Sequence, residues 1–515
     1  MTSQQCQSGG PQINRQISND TLLRCQCTSD FSALRVHPRA AGQSHSVAPC
    51  ASWNNSGADI VYPTQTSLVL CSLLLSFCLR SYDSHCTFCS EHRISTHTHT
   101  HTHTLRADQL CGCFSVRNRL REIVGASTNW RYDHQQALAD RLSLSNQLAG
   151  SQDELPVRRM KDSYIEAHLP LGTDPTLREK YLNYLKGVRF GRILEDLDSL
   201  AVLICYSHTH NKTLQRSPLS IVTALVDKIG MTPSSPGTTP GCTLSLISPV
   251  CDFTGHVTWV GKTSIEAKMH MSQYHGGAYT PVLDATFVMV ARDPENKRAA
   301  FVNPLKPEGI EEEKLFHQGE INKTRRIELS TASLLKVAPT AEERKIVHSL
   351  FLNTLDSKTV SFRSRVLPPN SVWMEDAKVK GLEICHPQER NIFNRIFGGF
   401  LMRKAYELGW ANACVYGGCR PNLVAVDDIL FRKPVEIGSL LLLSSQVCYT
   451  EGKYIQVRVH TEVLDPLTRQ HNTTNVFHFT FVTDKDVPNI VPQSYGESML
   501  YLDGKRHFNQ TLESQ

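Results

Sequence analysis

The chain has little excess charge of either sign and no hydrophobic run long enough to span a membrane. Its 515 residues carry a net charge of +5, which is too small over this length to indicate a nucleic-acid-binding protein. The apolar stretch 67–79 is shorter than the ~20 residues that a membrane helix needs. It also begins too deep in the chain for an ordinary signal peptide. We therefore expect neither a nucleic-acid partner nor a transmembrane segment.

A closely spaced cysteine framework is also lacking outside the first 113 residues. Ten of the 17 cysteines lie in that segment, and the other seven are scattered singly over the rest of the chain. This distribution argues against a small secreted disulfide scaffold and favours a reducing compartment. The pairs Cys86/Cys89 and Cys111/Cys113 are weak as metal motifs. No spacing in the sequence implies a metal or a redox cofactor, so none is expected.

Residues 1–113 do not have the composition of a folded domain. They are rich in Ser, Thr, Cys and Gln, and residues 96–104 strictly alternate Thr and His. Such a dipeptide repeat has no period that buries a core face. We expect a disordered, low-complexity extension here, either a translated repeat or an error in the gene model. Apolar residues at helical spacing begin near Val116 and predict a helical segment over residues 114–161.

Two copies of one unit follow. Residues 256–269 align with 446–459 without a gap, and both stretches alternate apolar and polar residues as strands do. Upstream of them, Asp198 is followed seven residues later by a cysteine, and so is Glu407. Each copy therefore predicts one helix followed by several antiparallel strands, which is an α+β arrangement.

These patterns divide the chain into six predicted segments. Two repeated units are joined by a charged connector that contains helices and are followed by a tail. The Pro- and Gly-rich stretch 232–249 is expected to be an exposed loop of the first unit. The predicted segments are the extension 1–113, the helical segment 114–161, unit one at 162–300, the connector 301–372, unit two at 373–486 and the tail 487–515.

One stretch carries parts suited to a hydrolytic site. Gly398 and Gly399 open an apolar helix, and backbone N–H groups at a helix start can hold an oxygen that becomes negative during a reaction. Asn391 and Arg395 precede that helix, and Glu407 lies two turns inside it, where a carboxylate can hold or deprotonate water. The first copy has a single glycine and no evident partner for Asn391.

Long stretches resemble the mitochondrial type 9/10 group of acyl-coenzyme A thioesterases, which are double hotdog proteins. They include residues 160–166, 188–200, 217–229 and 383–399, and the resemblance covers about residues 116–508. Residues 1–113 and 232–252 depart from the family. The resemblance implies two antiparallel sheets, each wrapped around a central helix, and acyl-thioester sites at the seam between the units. It also implies hydrolysis of fatty acyl-coenzyme A to free fatty acid and coenzyme A, a mitochondrial location and a homo-oligomer.

Within this resemblance, the site residues have assigned roles. Asp198 or Glu407 is the expected carboxylate, and each would face the start of the other copy's helix. Asn391 orients water or substrate, Gly398 and Gly399 donate to the carbonyl oxygen, and Arg395 stabilises negative charge or binds phosphate. The favoured hypothesis is one competent site, Asp198 with residues 391–399, and a degenerate site at Gly191 and Glu407. The cations expected to meet coenzyme A phosphates are Arg292, Arg432 and Lys433.

Several alternatives stay open from sequence. The glycine pair can serve close helix–sheet packing, and Asn391 can be an ordinary helix cap. Asp198 and Glu407 can lie on a solvated helix face, and Glu195 and Asp196 are alternates to Asp198 as the carboxylate. The three cations can be plain surface charge. At the level of the whole chain, the alternatives are a catalytically weak acyl-coenzyme A-binding or regulatory protein and a dehydratase of hydroxyacyl thioesters. A dehydratase of this kind normally needs an Asp/His pair, and no histidine follows Asp198 or Glu407 at the corresponding helix positions.

Overall fold

The structure, a computed structural model, describes residues 112–126, 134–211, 213–232, 251–275, 277–359 and 361–513. The predictions for residues 1–111 and for the Pro- and Gly-rich stretch 233–250 lie outside these residues. Within the described ranges, no helix combines the length and the apolar character that crossing a membrane requires.

The first unit consists of five strands and a long central helix. It begins with β1 and a short helix, α3, and continues through the central helix α4 into four antiparallel strands. The bounds are β1 Ile165–Leu169, α3 Pro175–Glu179, α4 Phe190–His208, β2 Ser220–Met231, β3 Cys251–Val260, β4 Ser264–His275 and β5 Ala278–Arg292.

The second unit repeats this arrangement. A short strand, β6, and then β7 precede the central helix α7, and four antiparallel strands follow it. The bounds are β6 Ser371–Trp373, β7 Lys378–Ile384, α7 Gly398–Gly417, β8 Asn422–Leu430, β9 Leu440–Glu451, β10 Tyr454–Leu464 and β11 His471–Val482.

Six further elements surround the two units. Two helices precede the first unit, two lie in the connector, and a strand and a helix follow the second unit. The bounds are α1 Gly112–Val124, α2 His134–Ser143, α5 Ile310–Thr331, α6 Ala341–Leu352, β12 Asn489–Val491 and α8 Tyr495–Glu513. Strand β12 pairs in parallel with β6, and α8 packs on β8, β9, β10 and β11.

A single ten-stranded sheet joins the two units. Its order is β1-β3-β4-β5-β2-β8-β11-β10-β9-β7, so each half is a mirror of the other in strand order about the β2–β8 pair. At this seam the strands are antiparallel, with Val226 opposite Ile429 and Lys228 opposite Asp427. The predicted α+β tandem hotdog architecture is confirmed, with each half of the sheet packed on its own central helix.

The central helix α4 differs from an ordinary surface helix in how completely it is buried. Of the 19 residues of α4, all but Arg192 and Ser207 are buried. A helix enclosed on all sides must also enclose its polar side chains, and Glu195, Asp196 and Asp198 are at most 5% exposed. The solvated helix face considered for Asp198 is therefore wrong.

Candidate active site

A tight loop before helix α7 holds Asn391. Its side-chain Oδ1 accepts hydrogen bonds from the backbone N–H groups of Phe393 at 2.8 Å and Arg395 at 3.1 Å. Asn394 adopts a positive φ of 59°, which asparagine tolerates better than most residues. The residue that caps α7 is Phe397, with no side-chain cap bond. Asn391 therefore stabilises the loop as an Asx turn, and the helix-cap alternative is wrong.

The same loop occurs before helix α4. Asn183 Oδ1 accepts from the N–H groups of Leu185 and Gly187, each at 2.9 Å, and Lys186 has a φ of 61°. Residues 183, 185, 186 and 187 thus match residues 391, 393, 394 and 395, each 208 positions further on. Asn183 is the counterpart of Asn391, and the prediction that the first copy has none is wrong.

This spacing also corrects the pairing of the acids. A Cβ placed on Gly191 would lie 2.8 Å from Arg403 Cγ, and one on Gly399 would lie 2.7 Å from Glu195 Cα, so the two helices cross symmetrically with the same spacing of 208. Asp198 then corresponds to Tyr406. The predicted equivalence of Asp198 and Glu407 is wrong by one residue, because it relied on the cysteines that follow each acid.

Asp198 meets the start of the other unit's central helix. Its Oδ2 accepts a hydrogen bond from Gly399 N–H at 2.9 Å, and its Oδ1 accepts one from Thr223 Oγ1 at 2.6 Å. The carboxyl group is 1% exposed. This burial raises its pKa to about 6, against the opposing effects of both hydrogen bonds and of the nearby Arg117. The result is a buried carboxyl group that changes charge near neutral pH.

The two glycines have different roles in this geometry. Gly399 donates its N–H to Asp198, and a Cβ there would lie 2.5 Å from the Phe397 ring and 2.7 Å from Glu195 Cα. Gly399 therefore serves close packing between the two central helices, and not the helix–sheet packing considered as the alternative for the pair. Gly398 lines the cavity described below and is the first residue of α7, where the N–H has no partner within the helix. A Cβ on Gly398 would lie 3.1 Å from Asp198 Oδ2.

Thr223 is a site residue that the sequence analysis did not predict. It lies on β2 at the point where the pairing with β5 shifts register, between Thr223 and Leu225. Such a bulge changes which side chains face the core, so simple alternation of the strand does not place Thr223 beside Asp198. A threonine one strand downstream of a buried acid is the only signal that the sequence offers.

A cavity of about 900 Å³ lies at this junction of the two units. Asp198, Thr223 and Gly398 line it, and so do the sequence-predicted Asn391 and Arg395. Its wall also contains residues from the N-terminal helices and from the ends of strands β5 and β8. The cations that line it are Arg117, Arg121, Arg141, Arg292, Arg390, Arg395, Arg432 and Lys433.

The three predicted phosphate-binding cations all lie on this wall. Arg292 is held by the carbonyl oxygens of Asn296 at 3.2 Å and Lys297 at 2.8 Å, and Lys433 Nζ donates to Asn472 Oδ1 at 3.1 Å. Their placement in one cavity wall differs from the scattered surface charge considered as the alternative. Arg395 Nη1 lies 2.7 Å from Glu436 Oε1, and this ion pair neutralises part of the charge of Arg395.

The pseudo-symmetric position, where α7 meets the start of α4, carries different side chains. Glu407 does not line the cavity, and its Oε1 lies 2.6 Å from Arg189 Nη2. The predicted proximity of Gly191 to Glu407 is present, since a Cβ on Gly191 would lie 3.3 Å from Glu407 Oε1. Tyr406, the counterpart of Asp198, packs edge-on against Phe190 with ring centroids 5.2 Å apart.

The remaining acids of α4 are fully engaged. Glu195 forms ion pairs with Arg192 at 2.6 Å and with Arg403 at 2.8 Å, which keep its pKa low in spite of burial. Asp196 accepts a hydrogen bond from the Tyr181 hydroxyl at 2.6 Å. Neither is arranged as Asp198 is. In the described parts of the chain, three clusters of imidazoles and carboxylates could hold a metal, and none of their residues lines the cavity.

Comparison with known proteins shows the family to which this sequence belongs. Human acyl-coenzyme A thioesterase 9, mitochondrial, is 68% identical over 396 residues, which cover 76% of this chain and 88% of the human protein. Mouse acyl-coenzyme A thioesterase 10, mitochondrial, is 65% identical over 396 residues with the same coverage. No protein-family model matches the chain.

A solved acyl-CoA hydrolase from Staphylococcus aureus, in complex with butyryl coenzyme A, coenzyme A and coenzyme A disulfide, matches 28% of this chain and 94% of its own. It is 25% identical with a TM-score of 0.27, too low to carry an argument. The class that emerges from the fold, the site and the relatives is that of tandem hotdog thioester hydrolases. At the identity and coverage of the curated relatives, the chain belongs to the mitochondrial acyl-coenzyme A thioesterase 9/10 family, as the sequence resemblance predicted.

Proposed function

We propose that this chain hydrolyses fatty acyl-coenzyme A thioesters to free fatty acid and coenzyme A in the cavity at the seam. The observation that carries the proposal is the buried Asp198 carboxyl group, held by Gly399 N–H at 2.9 Å at the edge of that cavity. The curated relatives are named mitochondrial acyl-coenzyme A thioesterases, which supports both the substrate class and a mitochondrial location.

In this proposal Asp198 is the general base. The ionised carboxylate takes a proton from a water molecule as the water oxygen attacks the thioester carbon. The hydrogen bonds from Thr223 and Gly399 keep the carboxylate oriented toward the cavity and favour its charged form. The bond from carbon to sulfur then breaks, and the coenzyme A thiolate leaves and takes up a proton.

Gly398 supplies the group that stabilises negative charge on the carbonyl oxygen. Its N–H lies at the first position of α7, where the helix leaves backbone donors without partners and adds a positive dipole end. The sequence assigned this role to both glycines, but the Gly399 N–H already binds Asp198. Gly399 therefore acts as a positioning residue for the base, and the loop that Asn391 stabilises sets the approach to Gly398.

The cations of the cavity wall bind the phosphates of coenzyme A. Arg292, Arg432 and Lys433 come from the ends of strands β5 and β8 and from the residues that follow them, and together they place positive charge along one side of the cavity. A planar guanidinium binds phosphate oxygens in pairs, which suits the two arginines to this role. Arg395, partly neutralised by Glu436, is assigned a weaker contribution.

The chain carries one working site. At the pseudo-symmetric position an aromatic residue, Tyr406, replaces the carboxyl group, and Glu407 is committed to Arg189. We further propose a homo-oligomer, supported by the family resemblance and by the exposed apolar side chains of Leu382 and Ile384 on the edge strand β7.

The direct test is release of free thiol from acyl-coenzyme A substrates of several chain lengths by the purified full-length chain. Asp198→Ala is expected to lower turnover at least ~100-fold, the low end of what general acid–base groups supply. Glu407→Gln is the matched control, a half-buried helix carboxylate outside the cavity, and should leave turnover close to that of the parent. Tight binding of acyl-coenzyme A without thiol release would instead support the binding or regulatory alternative.

A further inference from the structure

A buried arginine from helix α2 reaches the active-site cavity. Arg141 lines the cavity wall, yet the residue is only 7% exposed. Its Nη2 donates a hydrogen bond to Ser220 Oγ at 2.7 Å, and its Nη1 donates one to the carbonyl oxygen of Val124 at 3.4 Å. The guanidinium carbon lies 4.9 Å from the ring centre of Phe393, in the loop before α7. These contacts hold the guanidinium in one position beside the cavity.

The charge of Arg141 lacks a counter-ion within the described ranges of the chain. The residue forms no ion pair there, and its two hydrogen-bond acceptors are neutral oxygen atoms. A guanidinium stays protonated in proteins, so this positive charge is both buried and unpaired. Glu195 differs, because it pairs with both Arg192 and Arg403. An anionic group of a ligand in the cavity would supply the partner that Arg141 lacks.

Helix α4 and strand β2 run side by side between this guanidinium and the proposed base. At one end, Thr223 Oγ1 donates to Asp198. At the other end, the hydroxyl of Tyr206, two turns further along α4, accepts a hydrogen bond from Ile221 N–H at 3.1 Å. Ser220, which binds the guanidinium, precedes Thr223 by three residues, or ~10 Å of strand. The two charged groups are therefore on the order of 10 Å apart.

Apolar side chains line the cavity along this distance. Val202 lies one turn beyond the carboxyl group on α4, and Ile221 follows Ser220 on β2. They are 8% and 1% exposed, and both line the cavity. Leu120 of α1 also lines it. The cavity thus offers an apolar segment suited to an acyl chain, with the proposed base at one end and a positive charge at the other.

We propose that Arg141 is a specificity residue that binds the distal carboxylate of a dicarboxylyl-coenzyme A, so that thioesters of short dicarboxylic acids are substrates. The inference rests on the proposed function, because that function places the thioester carbon beside Asp198. A spacing on the order of 10 Å, less roughly 3 Å of contact distance at each end, leaves room for an acyl chain of about four to six carbon atoms. Arg141 then contacts the substrate far from the bond that breaks.

A carboxylate suits this position better than a phosphate of coenzyme A. The cations proposed to bind phosphate are half-buried at Arg292 and exposed at Arg432 and Lys433, where phosphates stay hydrated. Arg141 is enclosed beside apolar side chains instead, and its guanidinium has N–H donors to spare beyond its two hydrogen bonds. A planar guanidinium binds a carboxylate through two parallel hydrogen bonds. The single negative charge of a carboxylate also balances the single positive charge of Arg141.

The consequence is selection between acyl groups of equal length. A dicarboxylyl group pairs with Arg141, whereas a monocarboxylic acyl group leaves the buried charge unpaired. Sites built to bind a polar group discriminate strongly against an analogue that lacks it. Because the ion pair forms in the bound substrate as well as in the transition state, it should lower KM more than it raises kcat.

The test compares thiol release from glutaryl-coenzyme A and valeryl-coenzyme A by the purified full-length chain. The two acyl groups have the same number of carbon atoms, and only glutaryl carries a distal carboxylate. Arg141→Gln removes the positive charge, and Arg141→Lys keeps the charge without the planar guanidinium. The matched control is Arg119→Gln, an arginine of α1 that pairs with Glu122 and does not line the cavity. Urea unfolding of each variant reports whether it is folded.

We expect kcat/KM of the parent chain to be at least about 10-fold higher for the glutaryl than for the valeryl thioester, mainly through a lower KM. Arg141→Gln should bring this ratio close to one, Arg141→Lys should restore part of it, and Arg119→Gln should leave it unchanged. Equal values for the two thioesters in the parent chain would overturn the proposal, and that comparison decides even where a variant does not fold.

Two further outcomes are distinguishable. An equal loss on both thioesters in Arg141→Gln would overturn the proposal, since it would assign Arg141 to coenzyme A binding or to folding. Absence of thiol release from every acyl-coenzyme A would count against the proposed function itself, whereas thiol release without a preference for the glutaryl thioester would overturn only the role of Arg141.

Discussion

Asp198 and Tyr406 occupy the same place on the central helices of the two repeated units, 208 positions apart. Asp198 points at Gly399 of the opposite helix, whereas Tyr406 packs against Phe190. The two equivalent positions at the seam are therefore chemically different: one has a buried carboxyl group beside a cavity, and the other has a pair of aromatic rings. We propose hydrolysis at the first position, where the protonation of Asp198 should control turnover.

The pH dependence of turnover reports the ionisation of Asp198. Burial raises the pKa of this carboxyl group to about 6, and only the ionised form can accept a proton from water. The value of kcat/KM should therefore rise with pH, reach half its plateau near pH 6 and be lost as the pH falls below that value. Measuring kcat/KM from pH 5 to pH 8 checks this, and a flat profile would contradict the assigned base.

Thr223→Val should move that profile to higher pH. The Thr223 hydroxyl donates to the Asp198 carboxylate at 2.6 Å and favours its charged form, so its removal raises the pKa of Asp198 further. Turnover near pH 6 should fall more than turnover at pH 8. Thr223→Ser keeps the hydroxyl and is the matched control. An unshifted profile in the valine variant would show that the hydrogen bond does not govern the base.

Arg117 links the N-terminal helix to the site. Its guanidinium lies 5.2 Å from the Phe397 ring centre, and its Nε is 3.4 Å from Ser199 Oγ, beside Asp198. The positive charge lowers the pKa of Asp198 and opposes the effect of Glu195. Arg117→Gln should therefore shift the kcat/KM profile to higher pH. Arg119→Gln, on the same helix but paired with Glu122, should leave the profile in place.

Alanine at the two glycines should separate packing from chemistry. A Cβ on Gly399 would lie 2.7 Å from Glu195 backbone Cα, so Gly399→Ala should destabilise the fold by about 1–3 kcal/mol, as overpacking does. A Cβ on Gly398 would meet only side chains, at 3.1 Å or more. Gly398→Ala should lower kcat with a smaller loss of stability. Urea unfolding together with kcat distinguishes the two, and the reverse ranking would contradict the assignment.

The fold was largely predictable from sequence because strand alternation is a local property. The gap-free match of residues 256–269 to 446–459 became β3–β4 and β9–β10, and the diglycine marked the start of α7. The helix register was not predictable, because the cysteine after each acid matched by chance. Cys205 lies 209 positions before Cys414, one more than the spacing of 208 seen in the loops.

The polar core of the site was harder to foresee for a different physical reason. Asp198 sits in a helix that is buried on all sides, and its environment is built by residues 25 and 201 positions away. Thr223 reaches it only because β2 bulges at that point. Long-range contacts of this kind depend on how the two units meet, which no local pattern encodes. The loops at Asn183 and Asn391 have the same structure. Because each asparagine lies apart from its helix in the sequence, the pattern did not identify Asn183 as the counterpart of Asn391.

The joining of the two units in one chain affects how the sequence of each unit can diverge. In a dimer of identical single units, every substitution appears at both equivalent sites at once, so neither site can be altered without the other. Here the connector, residues 301–372, joins the two units in one chain, while β2 and β8 pair only by backbone hydrogen bonds. Each unit is therefore encoded separately, which removes that constraint. The two equivalent helix positions can therefore carry different groups, a carboxyl group at Asp198 and an aromatic ring at Tyr406.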